Sequence, residues 1–391
     1  MEPLYGRIRD YAWGSRTVLA QLQGRPVPSE GPEAELWLGA HPGDPSTLHR
    51  GGAPLSLLDA LAEDPGRWLG TDVVDRFGQR LPFLLKVLAP EAPLSLQAHP
   101  DTEQARAGYA AETTDPELTH RNYVDPYHKP EMLVAVSPFR ALCGFRDPVE
   151  SAELLAAFGV PALAPVAGAL RAGPDGLPEA VRTLLSWPDP ERAGLVAAVA
   201  AAEVGERFAP AAELARDLAR RYPADPGVLV ALLLNHVSLA PGEAIWMPAG
   251  NLHAYLHGAG VEILAASDNV LRGGLTPKHV DVRELLRVLR FEVLADPVVS
   301  PVPVAPGVVT WPVPVDDFAL HGVRLDRRVG SARLAPRGPR IALCLAGEVS
   351  VADGAGSTLL RTGEAAIGRA DGGQLTVSGD GELYVASVGP A

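Results

Sequence analysis

The chain has 391 residues, of which 47% are hydrophobic and 21% charged, a composition typical of a globular protein with more than one domain. Its formal net charge of −13 at pH 7 argues against nucleic acid or an anionic membrane surface as the main partner. The two cysteines, Cys143 and Cys344, both lie in apolar runs. We therefore expect core cysteines in a reducing compartment and no disulfide framework.

Residues 1–15 lack the apolar core of a signal peptide. The longest apolar stretches, Gly194–Ala202 and Val228–Leu234, fall short of the roughly 20 residues that a membrane span needs. These patterns predict a cytoplasmic protein with no membrane partner.

Along the chain, β-rich and helical segments alternate. Residues 1–147 are rich in Gly, Pro and short apolar runs, which predicts strands with long loops. From residue 148 to 234 the pattern is helical, with apolar spacing at Glu179–Leu185, Arg192–Val204 and Ala211–Arg220. Strands are predicted next at Glu243–Met247, Leu252–Leu256 and Val261–Ala265. An irregular linker at 296–314 and short strands from Phe318 complete the pattern.

Three Asp-Pro pairs mark expected helix starts in the helical part. Asp147, Asp189 and Asp225 each precede a proline. Asp accepts hydrogen bonds from the first backbone N–H groups of a helix, and Pro is tolerated in its first turn.

Residues 242–253 follow the pattern G-[DE]-x4-P-x-G-x2-H of the second cupin motif. Gly242 predicts a turn into a strand, Pro248 and Gly250 a hairpin corner, and His253 the start of the next strand, pointing into a β-barrel. A Gly/Pro-rich hairpin with one core histidine is the alternative. A second copy at Gly363-Glu364 has Arg369 for the corner proline and Gln374 for the histidine, which predicts a barrel without a metal site.

The predicted fold is mainly β with a helical insertion, and consists of two cupin (jelly-roll β-barrel) domains plus an all-α domain. The expected boundaries are 1–147 and 235–295 for the catalytic cupin domain, 148–234 for the helical insertion, and 296–391 for the C-terminal cupin-like domain.

Strand phase selects a set of candidate metal ligands. Gln97 and His99 are two residues apart, so they share one face of a strand. Glu131 precedes the apolar run Met132–Val136, and His253 completes the set. Two imidazoles, a carboxylate and an amide oxygen suit Zn²⁺. Without Gln97 three ligands still form an open site, and singly each residue has an ordinary structural explanation.

At these residues the chain resembles the type I mannose-6-phosphate isomerase family. Residues 123–131 resemble its Y-x-D-x-N-H-K-P-E motif, and residues 253–278 resemble its second motif. Residues 11–14, 81–86 and 94–101 follow the family pattern as well. The resemblance implies one zinc ion per chain, held by Gln97, His99, Glu131 and His253. The chain departs from the family at Tyr127, Leu264 and Gly273, where Asn, Met and Ala are usual.

Lys86 lies in the apolar run Phe83–Leu88 and needs an anionic partner if it is buried. That partner is either a carboxylate or a ligand phosphate. The resemblance favours the phosphate, together with Ser95 and Lys278. Ser95 shares a strand face with Gln97.

The implied reaction moves a proton between C1 and C2 of an open-chain sugar phosphate through an enediol, and so requires a base and a group that stabilises the oxyanion. Arg272 is expected to hold the enediolate charge. The candidate bases are Lys129, Glu262, Asp268 and His128, with Lys129 preferred and Glu262 next. Each has an alternative: Glu262 and Asp268 as ion-pair partners of Arg272 or Lys278, and His128 as a support for the metal ligands.

Trp13 and Tyr255 are predicted walls of the sugar pocket. The competing functions are a metal-dependent cupin oxygenase and a non-catalytic sugar-binding cupin. The expected partner is a small sugar phosphate, bound by a monomer.

Overall fold

The computed structural model describes residues 1–173 and 175–390 and is mostly β, with a helical region between two β-rich parts. Its strands are β1 (Glu2–Leu4), β2 (Arg7–Arg9), β3 (Glu35–Leu38), β4 (Thr47–Arg50), β5 (Ala53–Ser56), β6 (Phe83–Leu88), β7 (Leu96–Ala98), β8 (Glu131–Ala135), β9 (Phe139–Phe145), β10 (Leu234–Leu239), β11 (Ala244–Met247), β12 (His253–His257), β13 (Gly260–Ala265), β14 (Leu271–Gly274), β15 (Val298–Val299), β16 (Val302–Ala305), β17 (Val308–Thr310), β18 (Ala319–Leu325), β19 (Ser331–Leu334), β20 (Arg337–Asp353), β21 (Gly356–Arg361), β22 (Ala365–Gly368) and β23 (Leu375–Val388).

The α-helices are α1 (Val18–Leu22), α2 (Leu57–Glu63), α3 (Pro65–Leu69), α4 (Thr71–Phe77), α5 (Thr102–Thr114), α6 (Pro148–Ala157), α7 (Ala164–Leu170), α8 (Gly176–Leu185), α9 (Asp189–Ala201), α10 (Ala209–Arg221), α11 (Gly227–Ala231) and α12 (Val282–Val288). Short 3₁₀ turns lie at Pro161–Leu163, Glu206–Phe208 and Ala370–Gly372. Among the described residues, no helix combines the length and the apolar character that crossing a membrane requires.

Two sheets face each other around the apolar interior of the first β-rich part. One has five strands in the order β10-β9-β12-β7-β14, and the other has seven in the order β15-β11-β8-β13-β6-β3-β2. One buried cluster contains Leu133 of the seven-stranded sheet together with Cys143 and Tyr255 of the five-stranded sheet. The sheets therefore pack face to face, as in a β-sandwich or a flattened barrel.

The central strands of the seven-stranded sheet are buried on both faces. All six residues of β6 are buried. Phe83, Leu85 and Val87 pack in a cluster that includes Phe318 and Tyr384 from the C-terminal part. Alternate residues of a strand point to opposite faces, so Lys86 points the other way, toward the five-stranded sheet. A strand covered on both sides is apolar almost throughout, which is why Lys86 is conspicuous in the sequence.

The outer face of the five-stranded sheet is covered by helices. Leu96, Leu142, Ala254 and Leu256 belong to one cluster with the apolar faces of α6 to α12. This cluster anchors the helical region directly behind the strands that carry Gln97 and His253.

The C-terminal part is a nine-stranded sheet with the main order β1-β22-β20-β23-β18-β17-β16; β19 pairs with β23, and β21 with β20. Successive residues of its long strands pack in two different clusters. Leu343 packs toward the seven-stranded sheet, whereas Ala342 packs in a cluster confined largely to the nine-stranded sheet. The N-terminal strand β1 pairs with β22 through Leu4 and Ala365. The first residues of the chain therefore belong to the C-terminal sheet.

The three helices predicted from apolar spacing are present as α8, α9 and α10. The predicted cap at Asp147 is confirmed, because its side chain accepts hydrogen bonds from Val149 and Glu150. The cap at Asp189 is wrong: Pro188 takes the cap position and Asp189 is the first residue of α9.

Two local predictions are also wrong. Pro248 and Gly250 do not form a hairpin corner, since β11 pairs with β8 and β15 whereas β12 pairs with β7 and β9. The chain crosses between the two sheets at this corner. The stretch 296–314 is not irregular throughout, because it contains β15, β16 and β17.

Candidate active site

Three candidate ligands from the two facing sheets converge on one point. His99 directly follows β7, His253 opens β12, and Glu131 opens β8 on the opposite sheet. One donor atom from each lies within 4.8 Å of the others. Oε2 of Glu131 is 3.4 Å from Nε2 of His99 and 3.3 Å from Nε2 of His253. All three residues are buried.

Backbone carbonyls fix the tautomers of both histidines. Nδ1 of His99 lies 2.7 Å from the carbonyl oxygen of Asn269, and Nδ1 of His253 lies 3.1 Å from that of Asn251. A carbonyl oxygen only accepts, so each Nδ1 carries the hydrogen and each neutral ring directs the lone pair of Nε2 at the cluster. Burial, followed by the charge of Lys129, lowers the pKa of His99 to about 4, so that ring is neutral near pH 7.

The cluster is electrostatically incomplete with its own atoms alone. In the part of the chain that the structure describes, both Nε2 atoms and Oε2 of Glu131 are buried without a hydrogen-bond partner. Two lone pairs facing a carboxylate oxygen repel it, and a divalent cation among them removes the repulsion. Two imidazoles and a carboxylate are the donor set that Zn²⁺ favours. The residues present therefore fit a zinc ion.

Gln97 is the neighbour of this cluster on the five-stranded sheet. It pairs with His253 on one side and with Arg272 on the other, and it lines the cavity between the sheets. Gln97 therefore lies beside the cluster on the strand that precedes His99.

Lys129 interacts with the carboxylate oxygen of Glu131 that faces away from the histidines. Its Nζ lies 3.1 Å from Oε1 of Glu131. Burial favours the neutral acid, but the adjacent Lys129 ammonium opposes it, and the pKa of Glu131 lies well below its usual range. The lysine thus keeps the carboxylate ionised. Because its ammonium is engaged in this ion pair, the structure does not support our preference for Lys129 as the base.

Adjacent strands of the seven-stranded sheet carry a row of charged side chains. The register places Lys86 of β6 between Glu262 of β13 and Trp37 of β3. Its Nζ lies 3.5 Å from Oε2 of Glu35, 3.6 Å from Oε2 of Glu262 and 4.9 Å from the centre of the Trp37 ring. Lys86 therefore has carboxylate partners, which was the alternative to its predicted contact with phosphate.

Glu262 combines deep burial with a hydroxyl donor and a nearby cation. Oη of Tyr255 donates a hydrogen bond of 2.6 Å to its Oε1. Burial and the charge of Glu131 raise the pKa of Glu262 to about 7, against the opposing effects of Lys86 and Tyr255. A carboxylate that titrates near neutral pH inside a cavity can both accept and return a proton.

Two cations on the facing wall have no carboxylate partner. In the described residues, neither Arg272 nor Lys278 has a carboxylate within 4.0 Å, and the pKa of Arg272 is lowered by burial alone. Arg272 lies on β14 beside Gln97, and Lys278 lies in the loop that follows. Cations left unpaired in a chain of net charge −13 favour an anionic ligand.

These groups line a single cavity of about 570 Å³ between the sheets. Its wall includes Trp13, Lys86, Ser95, Gln97, Lys129, Glu131, Tyr222, Tyr255, Glu262, Asp268, Arg272, Thr276 and Lys278. The volume is sufficient for a small polar metabolite. Trp13 and Tyr255, the predicted walls of the sugar pocket, both line this cavity, and Tyr255 also holds Glu262.

Asp268 has a partner that the sequence did not indicate. Nε2 of His41 lies 2.9 Å from Oδ2 of Asp268. Nδ1 of His41 accepts a hydrogen bond from the backbone N–H of Gly43, so Nε2 carries the hydrogen and donates it. Burial opposes the charge on Asp268, but this hydrogen bond outweighs it and lowers the pKa of Asp268.

His128 does not belong to this cavity, so the structure contradicts its predicted place in the site. Its Nε2 lies 2.8 Å from Oδ2 of the buried Asp317. Together with Tyr127 it lines a different cavity, of about 550 Å³, near Arg80. The guanidinium of Arg80 stacks on the Tyr127 ring at 3.6 Å. The departure from the family at Tyr127 therefore faces away from the candidate ligands.

Four residues in or beside the site were not predicted from the sequence: Glu35, Trp37, His41 and Tyr222. Glu35 and Trp37 reach the site only through the pairing of β3 with β6, and Tyr222 lies at the C-terminal end of α10. One signal was available for β3, since Glu35 is a charged residue at the head of the apolar run that ends at Leu38.

The chain is similar to known proteins along almost its whole length. Residues 1–148 match the family described as phosphomannose isomerase type I, catalytic domain. A mannose-6-phosphate isomerase from Escherichia coli is 38% identical over 398 residues, which cover 98% of each chain. A second, from Arabidopsis thaliana, is 32% identical and covers 97% of this chain and 92% of its own.

The fold is also similar to that of solved structures over the full length of the chain. A crystal structure of an arginine-to-alanine mutant of phosphomannose isomerase from Salmonella typhimurium has a TM-score of 0.88, with 35% identity and full coverage of both chains. A mannose 6-phosphate isomerase bound with zinc and yttrium has a TM-score of 0.86, again with 35% identity and full coverage.

Proposed function

The chain belongs to the type I mannose-6-phosphate isomerases, and we propose that the cavity between its two facing sheets is where it interconverts mannose 6-phosphate and fructose 6-phosphate. The observation that carries this assignment is the placement, around one cavity, of a buried carboxylate with a pKa of about 7, two unpaired cations and Glu131 of the His-Glu-His cluster. A proton-transfer group, an anion site and a metal site are what an aldose–ketose isomerase acting on a phosphorylated sugar requires.

Zinc is the metal of this enzyme, and we assign Gln97, His99, Glu131 and His253 as its ligands. A zinc ion held there would supply a Lewis acid that polarises the sugar carbonyl. The residues around it hold the ligand set in place: Lys129 neutralises the outer oxygen of Glu131, and the carbonyls of Asn251 and Asn269 orient the two rings.

We assign the proton transfer to Glu262. Its carboxylate takes the hydrogen from C2 of the open-chain aldose; the electron pair of that C–H bond forms the C1–C2 double bond, and the π pair of the C1 carbonyl moves onto O1. The same carboxyl group then returns the proton to C1 through the electron pair of the C1–C2 double bond, while the proton of the C2 hydroxyl passes to O1, which leaves a hydroxyl at C1 and the carbonyl at C2. Nζ of Lys86 lies 3.6 Å from Oε2 of Glu262 and favours the ionised form of Glu262 before the transfer. After Glu262 has taken up the proton, Glu35 remains as the ionised partner of Lys86.

Arg272, Lys278 and Ser95 complete the assignment on the opposite wall. Arg272 lies beside Gln97, and we assign it the role of stabilising the negative charge that develops on the sugar oxygens. Lys278 and Ser95 are assigned to the phosphate. We assign to Asp268, which His41 holds ionised, the binding of a sugar hydroxyl.

For the fold, we propose that the five- and seven-stranded sheets form the catalytic cupin barrel and that the nine-stranded sheet forms a second barrel without a metal site. Residues 148–234 form the helical insertion. The boundary of the C-terminal unit includes β1 as well as residues from 296 onward. We also propose that the enzyme acts as a monomer in the cytoplasm, on a small sugar phosphate and without a nucleic-acid partner.

A coupled assay for fructose 6-phosphate formed from mannose 6-phosphate tests the function, with metal-replete protein and with chelator-treated protein. Turnover that a chelator abolishes and zinc restores is expected. Absence of turnover by the zinc-loaded protein would refute the proposal. Oxygen-dependent turnover with bound iron would favour the oxygenase instead, and sugar phosphate binding without turnover would favour the non-catalytic cupin.

A further inference from the structure

The segment 222–227, which leaves the last long helix of the insertion, bonds to two loops of the cavity wall. Oη of Tyr222 donates a hydrogen bond of 3.3 Å to the carbonyl oxygen of Pro93. The carboxylate of Asp225 accepts two backbone N–H bonds, from Gly227 at 2.7 Å and from Thr276 at 3.1 Å. Asp225 thus joins the insertion to the loop that follows β14.

That loop adopts a backbone conformation that its own sequence does not favour. Leu275 has a φ of +56° although it is not a glycine, and such left-handed residues persist only where the surroundings hold them. Leu275 is also 99% buried, with 1% of its surface exposed. Gly274, with a φ of +118°, precedes it. The loop therefore depends on contacts from outside itself.

The insertion supplies those contacts at very short range. A Cβ atom added to Gly274 would lie 2.6 Å from Cα of Gly227 and 2.8 Å from Oδ1 of Asp225. The two glycine backbones touch, and only glycine fits at either position. Beyond this contact the loop continues to Lys278, whose N–H donates to Oγ1 of Thr276.

Both loops that the segment joins carry the groups assigned to the substrate phosphate. Pro93 leads into Ser95, and Thr276 leads into Lys278; all four residues line the cavity. Asp225 itself does not line that cavity and lies instead in a separate space of about 360 Å³ behind the loop. Its carboxylate is therefore positioned to act on the loop and not on the sugar.

We propose that Asp225 is a positioning residue for phosphate recognition, and that the helical insertion serves the reaction by holding the Ser95 and Lys278 loops at a fixed separation through segment 222–227. This inference rests on the proposed function, because it takes the phosphate to be bound by those two loops. It gives the helical insertion, which has no catalytic motif of its own, a defined role in substrate binding.

The test compares Asp225→Ala with a matched control, Asp147→Ala. Asp147 also precedes a proline at the start of an insertion helix and also accepts two backbone N–H bonds, from Val149 at 2.8 Å and Glu150 at 3.1 Å, but it does not line the cavity between the sheets. Both substitutions remove comparable hydrogen bonds, so a general loss of stability should appear in both variants. A change in phosphate binding that appears only in Asp225→Ala is then an effect on the phosphate loops.

For Asp225→Ala we expect the KM for mannose 6-phosphate and the inhibition constant of inorganic phosphate to rise about tenfold, as loss of one loop-fixing hydrogen bond predicts. We expect kcat to change by less than about threefold, and the zinc content to remain at the wild-type value. Asp225→Asn, whose amide oxygen still accepts an N–H bond, should recover most of the loss. Tyr222→Phe should raise the same two constants by a smaller factor.

Calorimetric binding of inorganic phosphate to the zinc-loaded protein makes the outcome independent of turnover. If wild-type protein binds phosphate but does not isomerise the sugar, the proposed function fails while this test still applies. Phosphate affinity that is equal in Asp225→Ala and wild type, or reduced as much by Asp147→Ala, would overturn the inference. If Asp225→Ala does not fold, Asp225→Asn and Tyr222→Phe decide the question by the same criterion.

Discussion

The hydrogen bond from Tyr255 to Glu262 yields a quantitative prediction about the pH dependence of the reaction. The bond is 2.6 Å long and both residues are buried. It stabilises the carboxylate, so it opposes the rise in the pKa of Glu262 caused by burial and Glu131. A hydrogen bond to a charged group contributes about 1.5–3 kcal/mol, and about 1.4 kcal/mol corresponds to one pKa unit. Tyr255→Phe should therefore raise this pKa by about one to two units.

The sign of the effect on activity follows from the role assigned to Glu262. Proton abstraction needs the ionised form, so kcat/KM falls as the pH decreases through this pKa. In Tyr255→Phe the acidic limb of the profile should move up by about one to two pH units. Activity near pH 7 should then drop by about five- to fiftyfold, and should return toward the wild-type value at pH 9 and above.

The measurement is the coupled assay for fructose 6-phosphate between pH 5.5 and 10, with zinc content determined in parallel. Tyr123→Phe is the matched control, since Tyr123 is also buried and also donates its hydroxyl to a glutamate, Glu284, outside the cavity. Its acidic limb should not move. A uniform loss of activity in Tyr255→Phe at every pH, with the limb unmoved, would refute Glu262 as the titrating base.

Two further predictions concern the metal and the cations. His253→Ala should lose bound zinc and activity, whereas His321→Ala, which removes a half-buried ring with a buried, unpartnered nitrogen, should keep both; equal zinc loss measured by metal analysis would contradict the ligand assignment. Arg272→Gln should lower kcat by about 10²–10³-fold with little change in the inhibition constant of inorganic phosphate. Lys278→Gln should instead raise that constant and the KM by about tenfold. Steady-state kinetics separate the effect on kcat from the effect on phosphate binding. If Arg272→Gln weakened phosphate binding and Lys278→Gln lowered kcat, the roles assigned to the two residues would have to be exchanged.

Strand phase and local motifs were sufficient to predict the metal cluster. His99, Glu131 and His253 were selected from residue type and spacing, and the structure brings their donor atoms together. The helical insertion was predictable for the same reason, because the apolar spacing of α8 and α10 is a local property of the sequence.

Features that depend on pairing between distant segments were not predictable. Glu35 and Trp37 lie about 50 residues before Lys86, and only the β3–β6 pairing makes them its neighbours. The corner at Pro248 and Gly250 has the turn residues of a hairpin, yet the strands on either side pair in different sheets. Local chemistry specifies that the chain turns there, whereas the destination of the next strand is decided by non-local contacts.

The burial of the central strands of the seven-stranded sheet on both faces limits how far this active site can be separated from the rest of the molecule. On each of its central strands, alternate residues serve the chemistry and the C-terminal layer: Lys86 and Glu262 face the cavity, whereas Leu85 and Ile263 face the nine-stranded sheet. A one-residue insertion in such a strand exchanges the two sets. Excision of the C-terminal layer exposes an apolar surface. The catalytic barrel is therefore not a portable module, and a transplanted or minimised version of this enzyme has to retain the third sheet or replace every second residue of the strands that it covers.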